Sequence, residues 1–152
     1  MRKRYAFRVT GGTKRWAISM RGSLDALEPY EYLILAKTDV NHFVQFAVHE
    51  EGAIRAKAVA NHFALEWAGV LTVEDYEGLD RLGWKRPDHR PDGSVNFYID
   101  YATPVNTAAL AVKAVLTLRQ IYGERTVDDL ECHSFARDGT QIRFPSLGRR
   151  RA

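Results

Sequence analysis

Three short segments rich in β-formers follow one another between residues 32 and 60, joined by links too short for anything but turns. Tyr32-Leu33-Ile34-Leu35-Ala36 is apolar, and Thr38-Asp39-Val40-Asn41 after it reads as a turn. His42 to His49 is strand-like again, and Glu50-Glu51-Gly52 is a compact hairpin connection. Ala53 to Ala60 then alternates small or apolar residues with Arg55 and Lys57. Parallel neighbours would need a crossover of a dozen or more residues, so these three must run as an antiparallel meander. A period of two puts Ile54, Ala56, Ala58 and Ala60 on one face, and separates Val44, Phe46 and Val48 from Phe43, Gln45 and Ala47.

Helical patterns flank the meander. Trp16, Met20, Leu24 and Leu27 predict an amphipathic helix over 14–27, with Thr13 as its N-cap and Gly11-Gly12 as a break before it. Gly22 is its weak point, and Pro29 ends it. Asn61 to Leu71 stays ambiguous: Phe63 and Trp67 are four apart, but Gly69 and Val70 oppose a long helix. Thr72, with Glu74 and Asp75 in the next turn, reads as a capping box for a helix to about Leu82, which Gly83 terminates. Pro87 to Gly93 is a loop, after which Val95, Phe97, Ile99 and Tyr101 alternate with Asn96, Tyr98 and Asp100 as a fourth strand. Pro104 and Asn106 open a helix over Thr107 to Tyr122, stopped by Gly123. Its Leu110, Ala114, Leu118 and Ile121 should face the sheet, and Lys113 and Arg119 should face water. Leu130 to Phe135 forms one more candidate strand, and Arg137 to Thr140 a turn toward Ile142 and Phe144.

The predicted fold is α+β: a mainly antiparallel sheet of four to five strands packed against two or three helices. It is one domain over 13–148, with 124–148 as an extension and basic tails at 1–12 and 149–152. The length of 152 residues suits a single core.

The formal charge of +3 misleads about partners. Arg2, Lys3, Arg4 and Arg8 sit at one end and Arg149, Arg150 and Arg151 at the other, with no acid beside them. Setting those seven aside from the 22 bases leaves 15 against 19 acids, a net of −4 in the body. Nucleic-acid binders carry positive charge on a folded face or along a helix, so this excess reads as solvated tails. Binding of nucleic acid or an anionic surface through those tails is the alternative function.

Catalytic chemistry finds little support. His42 and His49 end one strand roughly 23 Å apart and cannot share a metal. His62 and His89 stand alone, without the paired spacing of a zinc site. Cys132 and His133 are adjacent in a strand, so their side chains leave on opposite faces and cannot pair as nucleophile and base. A thiol hydrolase built on Cys132 is the weaker alternative. The acid pairs Glu50-Glu51, Glu74-Asp75 and Asp128-Asp129 each have a structural place, and Gly11-Gly12-Thr13-Lys14 lacks the spacing of a phosphate loop. No enzyme, metal or cofactor is expected. No apolar run reaches the roughly 18 residues of a membrane span, and the basic start has no apolar region after it. The single cysteine fits a reducing cytoplasm.

What remains is a sheet face. If helices cover Val44, Phe46 and Val48, then Phe43 and Gln45 line the other side with Arg55, Lys57 and Tyr98. An apolar and cationic sheet face suits an extended peptide; the other reading is that a further helix or a dimer partner covers it.

The order helix, meander, helix, strand, helix, together with several short signatures, resembles the type III secretion chaperone and YbjN-like group, in particular its actinobacterial peptide-binding-chaperone-like members. The signatures are Phe43-Val44-Gln45-Phe46, Ala56 through Asn61, Leu82-Gly83-Trp84 with Pro87 three residues on, and Asn96-Phe97. The resemblance spans about residues 13–122. It implies a small non-enzymatic domain, often a homodimer, that holds a protein or peptide client. Similar proteins tend to carry an acid where this chain has Lys57, which implies an inverted charge at that contact. The extension from Glu124 has no counterpart in the resemblance.

Overall fold

A computed structural model describes residues 11–37, 40–61, 70–124 and 130–136. Helix α1 (Gly11–Ala26) leads into strands β1 (Tyr32–Lys37), β2 (His42–Val48) and β3 (Ile54–Ala58). Helix α2 (Val73–Arg81), strand β4 (Phe97–Tyr101), helix α3 (Thr107–Leu116) and strand β5 (Glu131–Phe135) complete the order. The sheet has five strands in the order β4-β3-β2-β1-β5, and every neighbouring pair is antiparallel.

Alternation assigns the two faces. Leu33 pairs with Phe46 and Leu35 with Val44; Phe46 pairs with Ala56, and Ala58 with Phe97. All seven are fully buried and share one core with Met20 and Leu24 of α1 and Leu110, Ala111 and Ala114 of α3. Helices α1 and α3 lie against each other. The small residues Ala56 and Ala58 sit in the middle of this face, where larger side chains would hold the helix layer off the sheet.

Helix α2 begins and ends as its sequence dictates. Thr72 Oγ1 accepts from the Asp75 N–H at 3.1 Å, and the Asp75 carboxylate accepts from the Thr72 N–H at 2.8 Å. At the far end Gly83 adopts φ +92°. The Trp84 N–H reaches the Leu79 carbonyl and the Gly83 N–H that of Asp80, which is a Schellman closure. The closure folds Trp84 into the core, where its Nε1–H donates to Thr117 Oγ1 at 2.9 Å.

Several expectations need correction. Helix α1 begins at Gly11, so Gly11-Gly12 is not a break, and Thr13 lies inside the helix instead of capping it. The Arg119 guanidinium lies beside Gly12 and donates to Thr13 Oγ1 at 3.2 Å, so that hydroxyl is engaged by a residue of the last helical segment. Neither Arg119 nor Lys113 simply faces water; both are half-buried, with the Lys113 ammonium 5.6 Å from the centre of the Tyr101 ring. The fourth strand starts at Phe97, and Val95 is exposed. Helix α3 turns into a π-helical segment over Thr117–Ile121, where the Tyr122 N–H bonds the Thr117 carbonyl five residues back. Leu110, Ala114, Leu118 and Ile121 are buried as expected. The expected features at Thr38-Asp39, His62 to Gly69 and Arg137 to Phe144, and the basic residues at 2–8 and 149–151, lie outside the described residues.

Candidate functional site

The second sheet face follows from the same registers. Tyr32 pairs with Ala47, Ile34 with Gln45 and Ala36 with Phe43. Gln45 pairs with Lys57 and Ala47 with Arg55; Lys57 pairs with Tyr98 and Arg55 with Asp100. Strand β5 adds Phe135 beside Tyr32, His133 beside Ile34 and Glu131 beside Ala36. Tyr32, Ile34, Gln45, Ala47, Arg55 and Lys57 are half-buried and stand outside the core that the helices share with the first face.

The five residues expected to bind a peptide thus share one face, but they do not share one role. The Arg55 guanidinium donates twice to the Asp100 carboxylate, at 2.7 and 2.8 Å. It donates also to the carbonyls of Gly93, at 3.1 Å, and Asp92, at 2.6 Å. Its carbon lies 4.9 Å from the centre of the Tyr98 ring. Hydrogen bonding to Asp100 raises the Arg55 pKa, and the reciprocal bond from Arg55 lowers that of the Asp100 carboxyl. Tyr98 is only 3% exposed, and its hydroxyl donates to Asp88 at 2.6 Å. That bond lowers the Asp88 pKa and raises that of Tyr98. Arg55 and Tyr98 therefore fasten the loop between Arg86 and Ser94 against β3 and β4. They shape one margin of the face.

Phe43 has a mixed position. It alternates away from Val44 and Phe46, yet its half-buried ring packs against the core. Gln45 and Lys57 are different again: half-buried, opposite each other on neighbouring strands, and without a polar partner among the described residues. Ile34 lies beside Gln45 on β1 and joins neither the core nor its margin. Sequence reasoning passed over Ile34 and Tyr32, although their alternation with Leu33 and Leu35 carried the signal.

Two asparagines of the family-like signatures hold the chain around this sheet. The Asn61 side chain pairs with the Leu71 backbone through both amide atoms, at 2.6 and 2.9 Å, and so closes the segment between them. Asn96 Oδ1 accepts from the Ala60 N–H at 3.1 Å, tying the end of β3 to the start of β4. Beside Asn61, an open pocket of about 240 Å³ is lined by Leu71, Thr72, Val73, Tyr76 and Arg86. Arg86 is committed there to Asp80 at 2.7 Å and lies over the Tyr76 ring.

Among the histidines, His42 is buried and stacks on Tyr122 with ring centres 4.8 Å apart. His133 contacts Glu131 at 3.1 Å. The backbone register puts Cys132 opposite Leu35 and His133 opposite Ile34. No three His, Cys, Asp or Glu side chains gather as a metal site among the described residues. No described helix is long and apolar enough to cross a membrane.

No curated protein and no solved structure matches the chain. A family model does, over residues 14–136, and its description is T3SS (YopN, CesT) and YbjN peptide-binding chaperone 3. The match runs past Tyr122 and takes in β5, so that part of the extension has a family counterpart after all. The meander, the Schellman closure at Gly83-Trp84 and the asparagine ties lie inside the matched span. The chain belongs to the T3SS and YbjN peptide-binding chaperone family.

Proposed function

We propose that this protein is a non-enzymatic, chaperone-like module that holds an extended polypeptide segment on the sheet face opposite the described helices. The observation that carries the reading is the centre of that face: Ile34, Gln45 and Lys57, half-buried on three adjacent strands and not engaged in the core. Ile34, with Tyr32 beside it on the same strand face, offers a segment apolar surface, and Gln45 and Lys57 offer it polar groups to meet. Extended peptides suit sheets because alternate side chains enter shallow sites while the backbone stays straight. The single cysteine supports a cytoplasmic setting. The family resemblance extends the reading to a homodimer, which sedimentation equilibrium reads directly.

An array of immobilised random dodecapeptides tests the reading. The wild-type protein should retain a subset of peptides. Ile34→Lys should weaken that retention about tenfold or more with unchanged circular dichroism. Ile18→Lys, on the exposed side of α1, should keep it. Retention of the same peptides by Ile34→Lys, or of none by wild type, overturns the proposal.

A further inference from the structure

We infer that the segment taken by this face presents a carboxylate to Lys57 and Gln45, with apolar side chains laid toward Ile34 and Tyr32. This rests on the peptide reading above and specifies its chemistry. The argument is a charge inventory. Arg55 is matched by Asp100, and Asp88 by Arg90 and the Tyr98 hydroxyl. His133 Nε2 lies 3.1 Å from the Glu131 carboxylate, and the Lys85 ammonium lies 5.8 Å from the centre of the Tyr98 ring. Lys57 alone of these has no counter-charge or ring partner among the described residues, and its cross-strand neighbours Gln45 and Tyr98 are neutral.

Lys57 is half-buried as a residue and has no counter-ion among the described residues, and the group that suits such an ammonium is an anion with directional acceptors. The Gln45 amide beside it adds an N–H donor, so the pair can meet both oxygens of one carboxylate. The rest of the face changes character across the sheet. Toward β4 it is cationic, with Lys57 and Lys85; on β1 it is apolar, with Ile34 and Tyr32, and β5 adds Phe135 together with the polar His133 and Glu131. Neighbouring strands are about 4.8 Å apart, so Lys57 and Ile34 are separated by two spacings, roughly 10 Å. An extended peptide rises about 3.3 Å per residue and covers that span in about three residues. The bound segment therefore has a carboxylate and an apolar side chain two to four residues apart. The carboxylate can belong to an Asp or Glu side chain or to the end of a chain.

The same array decides this, printed once with peptides tethered by the C-terminus and once by the N-terminus. Peptides held by wild type should be enriched in Asp or Glu near an apolar residue. Enrichment only on the array with free C-termini would assign the carboxylate to the chain end. Lys57→Met should weaken those peptides about tenfold, and Lys57→Glu should shift the retained set toward Lys and Arg. Both variants should keep the wild-type melting curve, since the Lys57 side chain meets no polar partner among the described residues. If peptides are retained, and lost on Ile34→Lys, but show no acidic enrichment and no response to Lys57→Glu, the carboxylate inference falls and the peptide reading survives. If wild type retains nothing, both fall.

Discussion

The contact between Trp84 and Thr117 can be weighed by a double-mutant cycle. The indole Nε1–H donates to Thr117 Oγ1 at 2.9 Å, and that hydroxyl donates to the Lys113 carbonyl at 2.8 Å. Trp84 is 3% exposed and Thr117 is fully buried, so water cannot replace either partner. Thr117→Val keeps the volume but leaves the indole N–H unsatisfied, which costs about 1–3 kcal/mol. The Lys113 carbonyl loses little, because it also accepts from the Thr117 backbone N–H. Trp84→Phe removes the donor and part of a ring, at a packing cost of about 1–3 kcal/mol. In the double variant no donor is orphaned, so the two losses should fall short of their sum by about 1–2 kcal/mol. Urea melts followed by far-ultraviolet circular dichroism measure this, with an unchanged m-value as the check on two-state behaviour. Additivity within about 0.3 kcal/mol would mean that the hydrogen bond contributes nothing and that Trp84 is held by packing alone.

Two further outcomes follow from the core and the clamp. Leu118→Ala, at a fully buried position in the π segment, should cost about 2–5 kcal/mol in the same melts; a loss below about 0.5 kcal/mol would put the side chain outside the core. Asp100 is held below the usual carboxylate range by its bond to Arg55, so its contribution is complete above about pH 4 and is lost as pH falls through the lowered native value. Asp100→Asn should therefore melt below wild type at pH 7 and converge with it in stronger acid; a gap independent of pH would remove the clamp from the acid transition.

The capping box at Thr72, the glycine at 83 and the turn at Glu50-Glu51-Gly52 were legible because each is a local arrangement that neighbouring residues satisfy among themselves. The start of α1 was not. Glycines oppose helices intrinsically, and the Thr13 hydroxyl that reads as a cap is instead met by Arg119, 106 positions further on. The π segment was hidden for a related reason: its wide turn accompanies Trp84 docking on Thr117 from another part of the chain.

Alternation in the sequence by itself determined the two faces of the sheet, since a period of two in β1, β2 and β3 has only one way to bury Leu33, Phe46 and Ala56 together. It could therefore place Phe43, Gln45, Arg55, Lys57 and Tyr98 on one surface. It could not say which of them were free. Asp100 and the loop carbonyls of Asp92 and Gly93 come from 37 to 45 positions away, and they take up Arg55 only once β4 has docked on β3. Tyr98 is likewise drawn to Asp88, while Lys57, two residues from Arg55 on the same strand and with the same charge, meets no acid among the described residues. A strand's period is set by local geometry, but the neutralisation of its charges depends on which distant groups the tertiary fold brings within reach.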